Sequence, residues 1–209
     1  MRIVVFGATG LTGREVVAAA LARGHAVTAF VRSPEKIADM DGVSIVQGDI
    51  TNARHVGGAI KDQDAVVSEL GGDKPWHRSP EIVTGIGNII GACRKHGVER
   101  LIYQSALGVG DSRDAVRGTV LGIAVPFLLR KPFADHAQNE QAIRESDLAW
   151  TIVRPTSLSR DEATGEWRSG PDVELPSTLN RIARADVAAF ILDELEREGD
   201  VREAVNLVG

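Results

Sequence analysis

Cysteine is nearly missing from this 209-residue chain. Cys93 stands alone, so no internal disulfide can form and a reducing cytoplasm is the expected setting. It falls on the helical face that Ile82, Ile86, Ile89 and Ile90 would share, which predicts a core thiol rather than a nucleophile. Long apolar runs are also absent: none reaches the ~18 residues of a membrane span. Met1 leads straight into a strand-like segment, so no secretory leader is expected. Positive charge is in deficit, with 24 Lys and Arg against 29 Asp and Glu and a formal net charge of −5. That balance argues against nucleic acid or a polyanionic membrane surface as partner. No Cys, His and carboxylate cluster has metal-ligand spacing, so no metal site is expected. There is no repeat, low-complexity segment or linker, and the length suits one domain, residues 1–209.

Glycine, by contrast, is placed with purpose. The run Ile3-Val4-Val5-Phe6-Gly7-Ala8-Thr9-Gly10-Leu11-Thr12-Gly13 is an apolar strand that breaks into three glycines at spacing three and resumes as a helix. Gly7 lets the chain turn sharply out of the strand. Gly10 leaves room for a pyrophosphate to approach backbone, and Gly13 lets the helix pack close to the strand. The first free N–H groups of that helix, near Leu11 and Thr12, would face a phosphate, with the helix dipole favouring its charge. Thr9 and Thr12 can add hydroxyl donors. The spacing is GxxGxxG rather than the commoner GxGxxG, but the required strand before it and amphipathic helix after it are both present.

A second strand, residues 26–31, ends at Arg32, nineteen residues after Gly13. An NAD enzyme places an acid for the ribose hydroxyls at about this offset of ~20. An Arg offers a 2′-phosphate a planar fork of donors instead. Ser33 can add a hydroxyl and cap the short helix that Pro34 opens. NADPH is therefore the expected cofactor, preferred over NADH.

The same beat continues. Residues 43–46, 65–70, 100–104, 149–153 and 204–207 read as strands; residues 53–60, 80–96 and 184–198 read as helices. Strands alternating with helices predict an α/β fold, a Rossmann-type doubly wound parallel sheet, with the ligand across the strands' carboxyl ends. Residues 107–134 are the least regular and form a candidate wall or lid over the substrate pocket.

With these segments in order, the chain resembles the atypical short-chain dehydrogenase/reductase group. The likeness is to NAD(P)H-binding proteins related to biliverdin reductase B (a flavin reductase) and, more distantly, to NmrA-like proteins. It is carried by the 7–13 turn, Arg32-Ser33-Pro34, Gly48-Asp49-Ile50, Tyr103-Gln104-Ser105-Ala106, Asp135-His136, Arg144-Glu145-Ser146, residues 150–155 and Arg184-Ala185-Asp186-Val187-Ala188. The resemblance implies that the turn holds the pyrophosphate and that Arg32 and Ser33 hold the 2′-phosphate. Asp49 and Ile50 would line the adenine site, the alternative for Asp49 being a helix-start residue. Leu70, Gly71 and Gly72 would pass the ribose and nicotinamide. Ser105 would end the fifth strand beside the nicotinamide, the alternative being a hydroxyl bonded to backbone.

Ordinary members of this superfamily use Ser with Tyr-x-x-x-Lys. That pair is missing. The only tyrosine, Tyr103, lies inside a strand, and the resemblance puts Pro132 and His136 where Tyr and Lys would stand. Without a phenolic acid, simple ketone reduction loses its proton donor. A conjugated acceptor such as a flavin, quinone or linear tetrapyrrole spreads the incoming charge and can collect its proton from solvent. His136 is the imidazole that the resemblance brings to this pocket, as donor or hydrogen-bonding group; the alternative is a helix-surface histidine. Trp76, Ala106, Leu107 and Phe127 are candidate pocket residues, with 126–129 as an apolar wall, and Trp76 or Trp167 could stack on a flat substrate. The leading expectation is an NADPH-dependent reductase of a flavin-like or quinone-like small molecule, cytoplasmic and monomeric, with a dimer as the alternative. The alternative function is a non-catalytic NADP(H)-binding redox sensor of the NmrA-like type.

Overall fold

Residues 3–6 are apolar at every position because both sides of their strand are covered. Ile3 and Val5 face one layer and Val4 and Phe6 the other. A computed structural model of the chain describes residues 1–72, 77–116, 130–171, 173, 181–197 and 199–209. In chain order the strands are β1 (Arg2–Phe6), β2 (Ala26–Val31), β3 (Ser44–Gln47), β4 (Ala65–Ser68), β5 (Arg100–Gln104), β6 (Ala149–Pro155), β7 (Ser157–Ser159), β8 (Arg168–Gly170), β9 (Arg181–Ala183) and β10 (Glu203–Val208). Eight of them form one sheet in the order β3-β2-β1-β4-β5-β6-β10-β8, and β7 pairs with β9. The order reverses at β1, which pairs in parallel with both β2 and β4 (Ile3 opposite Val27 and Ala65). A crevice therefore opens at the carboxyl ends of β1 and β4, the switch point where doubly wound sheets bind ligands.

The helices are α1 (Leu11–Ala22), α2 (Ala53–Ile60), α3 (Pro80–His96), α4 (Arg130–Arg144) and α5 (Arg184–Arg197). Val16, Val17 and Ala20 of α1 and Val187, Phe190 and Ile191 of α5 cover the Ile3/Val5 side. Ile60 of α2, Ile86 and Cys93 of α3 and Ile143 of α4 cover the Val4/Phe6 side. Cys93 is a fully buried core thiol, as its place among isoleucines predicted, and burial pushes its pKa up to about 12. Gly97 closes α3 in the left-handed region at φ +70°, where a side chain would be strained. No helix among the described residues is long and apolar enough to cross a membrane.

The expected strands lie within a residue or two of those observed, and three corrections follow. First, the sheet is not wholly parallel, because β8 runs antiparallel to β10. It has three residues, too few to carry an alternating signal. Second, the irregular stretch expected over 107–134 overlaps α4, which begins at Arg130. The helix was hidden because Asp135, Asn139 and Glu140 are buried where an apolar stripe would normally sit. Third, Ser33 makes no side-chain bond to cap the 3-10 turn Pro34–Lys36.

Candidate active site

The glycine turn is built from backbone contacts too close for side chains. Gly7 has φ +82°, and a Cβ there would lie 2.5 Å from the Glu69 carbonyl oxygen. A Cβ on Gly13 would lie 2.2 Å from the Gly7 oxygen, and one on Gly10 would lie 3.2 Å from it. The Gly10 N–H donates to the Gly7 carbonyl at 2.9 Å, and the first intrahelical bond runs from the Arg14 N–H to the Gly10 carbonyl. The N–H groups of Leu11, Thr12 and Gly13 thus have no acceptor one turn back. No side chain caps α1, and its first turn carries no acid. The contrast is α2, where the Asn52 side chain accepts from the N–H groups of Arg54 and His55. The start of α1 fits an anionic diphosphate, since its donors are uncapped and no Cβ intrudes.

From this turn a cleft of about 360 Å³ runs across the carboxyl ends of the strands. Gly7, Thr9 and Gly10 form one end, Ile50 a side wall, and Leu70, Gly71 and Gly72 the other end. Arg32 and Lys36 put two cations on the rim beyond β2. Lys36 was not foreseen; its signal was its place four residues after Arg32, at the end of the 3-10 turn. Arg14 fastens this rim to α1, donating to the Lys36 carbonyl at 2.8 Å and pairing with Asp39. Ile50 is pressed against α3 so closely that a Cβ on Gly85 would meet its Cγ1 at 2.2 Å.

Leu11 stands exposed at the start of α1 and Thr12 is buried. Ser33 is half-buried beside Arg32, and Asp49 is exposed beside Ile50. The Asp49 Oδ1 accepts from the Thr51 N–H at 2.8 Å and hydroxyl at 2.7 Å, which holds its carboxyl below the usual range. Asp49 therefore shapes the turn into α2, while Asn52 is the actual cap.

Glu69, at the end of β4, also lines the cleft. Its side chain was not foreseen as part of the site. Both carboxyl oxygens are buried without a hydrogen-bond partner among the described residues. Burial raises its pKa from 4.5 to about 8. Between those values the unfolded chain releases this proton while the folded chain keeps it, so stability falls as pH rises from about 5 to 8. The slope should amount to ~4 kcal/mol over that window. Glu69→Gln is expected to flatten it, as read by urea denaturation at pH values across the window; an unchanged slope would place the destabilising proton elsewhere.

A second pocket, of only about 10 Å³, shares Leu70, Gly71, Gly72 and Ile82 with the first and is closed by α4 through Pro132, Asp135, His136 and Asn139. The two candidate positions Pro132 and His136 thus stand one turn apart on its wall. His136 Nδ1 lies 2.7 Å from the Tyr103 hydroxyl, which also accepts from Asn139 Nδ2 at 3.0 Å. Burial lowers the His136 pKa, against the opposing pull of Glu140 and Asp135, and burial raises that of Tyr103. Asp135 accepts from the Ser79 N–H at 2.7 Å and pairs with Arg78. The sequence placed Tyr103 inside a strand, which gave no hint of where its hydroxyl ends. The Ser105 Oγ is buried with no partner among the described residues, while its N–H donates to the Val153 carbonyl at 2.7 Å. Ala106 and Leu107 follow, half-buried at the carboxyl edge. Trp76, Phe127 and the 126–129 wall lie outside the described residues. Trp167 is half-buried and packs edge-on with Phe190 of α5, with ring centroids 6.4 Å apart.

The chain matches an NAD(P)H-binding family over residues 7–198. It is 33% identical to an uncharacterized chloroplastic protein of Arabidopsis thaliana, covering 98% of this chain and 76% of that protein. It is 34% identical to the 2-alkyl-3-oxoalkanoate reductase of Stenotrophomonas maltophilia, over 74% of this chain but only 50% of the reductase. Its fold superposes on ChuY, an anaerobillin reductase from Escherichia coli O157:H7, with a TM-score of 0.84 at 23% identity, covering 100% of this chain and 97% of ChuY.

Proposed function

The chain belongs to the NAD(P)H-binding family, and from that premise we propose that it is an NADPH-dependent reductase of a conjugated, flavin-like or quinone-like small molecule. One observation carries the reading. The glycine-turn cleft and the His136 pocket share the Leu70–Gly71–Gly72 segment, so a cofactor lying in the first would end beside the α4 wall that carries His136.

The reading assigns the following roles. Gly7, Gly10, Gly13 and the N–H groups of Leu11 and Thr12 hold the diphosphate, with Thr9 beside them. Arg32, Ser33 and Lys36 hold the 2′-phosphate. Asp49 and Ile50 take the adenine end, and Leu70, Gly71 and Gly72 the nicotinamide end. When bound, the reduced nicotinamide supplies a hydride. His136 and Ser105 present polar hydrogens to the acceptor, and Ala106 and Leu107 exclude water from it. A conjugated acceptor suits a site whose α4 wall carries Pro132, a residue with no proton to give. That same proline favours the second reading, a sensor that binds NADP(H) and turns nothing over. The reading includes a cytoplasmic monomer with neither nucleic acid nor membrane as partner.

Calorimetry with NADPH and NADH tests the cofactor. One charge-assisted contact of ~1.5–3 kcal/mol predicts a preference for NADPH of roughly ten- to a hundredfold, which Arg32→Asp should remove. Equal affinities in the native protein would overturn the 2′-phosphate role. Turnover is then tested with FMN, riboflavin, a benzoquinone, a redox dye and biliverdin, following loss of the reduced nicotinamide absorbance. Tight NADPH binding with no acceleration for any acceptor would favour the sensor.

A further inference from the structure

The polar groups between β5 and α4 form a hydrogen-bond chain with a definite direction. An amide nitrogen can only donate, and Asn139 Nδ2 donates to the Tyr103 hydroxyl. A phenol that accepts there sends its single hydrogen elsewhere, and His136 Nδ1 stands 2.7 Å away. An imidazole nitrogen that accepts carries no proton, which puts the ring's hydrogen on Nε2; an Nδ1–H donating to the same oxygen would instead leave the phenol hydrogen buried without an acceptor among the described residues. Turning the Asn139 amide over would reverse the chain. It would also leave the amide's N–H groups buried without partners in place of the one unpaired oxygen, Oδ1, that the present arrangement leaves. Orphaned N–H groups are the rarer and costlier of the two.

We propose that Asn139 and Tyr103 are positioning residues that lock His136 as a neutral Nε2–H donor for a lone pair on the conjugated acceptor. This deepens the reductase reading and rests on it for the identity of the pocket. The charged groups around the ring are otherwise engaged. On α4, Asp135 holds Arg78 and the Ser79 N–H, and Glu140 holds Arg154 of β6 at 3.0 Å. Glu69 at the end of β4 is itself buried and keeps its proton to about pH 8. Among the described residues, α3 and its N-cap give the pocket Ile82 and Ser79, neither of them charged. Burial outweighs the pull of Glu140 and Asp135 on the ring, which favours the neutral imidazole.

The chemistry that follows is donation without release. The acceptor gains two electrons and one hydrogen from the reduced nicotinamide, and negative charge builds on its conjugated oxygen or nitrogen. The Nε2–H bond stabilises that charge and stays intact, and the final proton comes from water. The preferred substrates are acceptors with a carbonyl or imine lone pair in conjugation with the reducible centre, rather than plain olefins.

The test is two-dimensional ¹⁵N–¹H correlation of the histidine ring nitrogens in the free protein, with His136→Gln to assign the resonance. The expected result is a protonated Nε2 and a bare Nδ1, unchanged between about pH 6 and 8. Tyr103→Phe should mix the two tautomers. It should also lower kcat for an accepted substrate by roughly five- to tenfold while leaving NADPH affinity unchanged. A native His136 protonated at Nδ1, or at both nitrogens near neutral pH, would overturn the lock. The expected tautomer without any calorimetric NADPH uptake would leave the lock standing and remove the reductase reading instead.

Discussion

Gly13→Ala is expected to cost ~3 kcal/mol of stability and to weaken NADPH binding by roughly a hundredfold or more. The added Cβ would sit 2.2 Å from the Gly7 oxygen, 2.8 Å from its carbonyl carbon and 3.0 Å from the Ala8 Cα. All three are backbone atoms, so no rotamer change relieves the overlap. The start of α1 must move away from the 7–10 turn. That movement withdraws the uncapped N–H groups that a diphosphate would use, each a charge-assisted bond of ~1.5–3 kcal/mol. Gly91→Ala is the control. Gly91 lies in the interior of α3 with open space where its Cβ would be, so the same change should stabilise by ~0.5–1 kcal/mol and leave binding alone. Urea denaturation and calorimetry on both variants decide the matter. Native-like NADPH affinity in Gly13→Ala would mean that the turn is not the diphosphate cradle.

Glu140→Ala should be as damaging for a different reason. Arg154 is buried on β6, and its guanidinium meets both Glu140 oxygens, at 3.0 and 2.5 Å. Removing the carboxylate strands a cation in the interior, at ~3–5 kcal/mol. Asp111 also reaches Arg154, but its side chain is largely exposed, and exposed partners compensate little. Replacing both residues, Glu140→Met with Arg154→Met, should cost far less than the single change, because no unpaired charge remains. The pair ties α4 to the sheet and so holds the wall that carries His136. If denaturant midpoints show the double variant to be no better than the single one, the two side chains are not energetically coupled.

Much of this architecture was legible because its signals are local. Residues 2–13 combine an apolar strand, glycines at fixed spacing and an amphipathic helix, and each of these needs only near neighbours to be read. Pro80 and Gly97 bracket α3 in the same way. What escaped notice depended on distant partners. α4 lost its apolar stripe to Asp135, Asn139 and Glu140, whose burial makes sense only beside Ser79, Tyr103 and Arg154. Trp167 read as a loop aromatic, and its packing against the core beside Phe190 had no local signal. Glu69 carried no sign of burial in a segment otherwise read for its glycines.

The order of periodic segments and the glycine spacing were enough to determine the doubly wound sheet and the ligand-binding end of β1, since hydrogen-bond ladders and helix faces repeat at short range. Which polar groups meet was decided only in three dimensions. Tyr103 and His136 are brought together by the crossover from β5 through α4. Their hydroxyl–imidazole contact, like the buried carboxyl of Glu69, exists because packed layers exclude the water that would otherwise have satisfied each group separately.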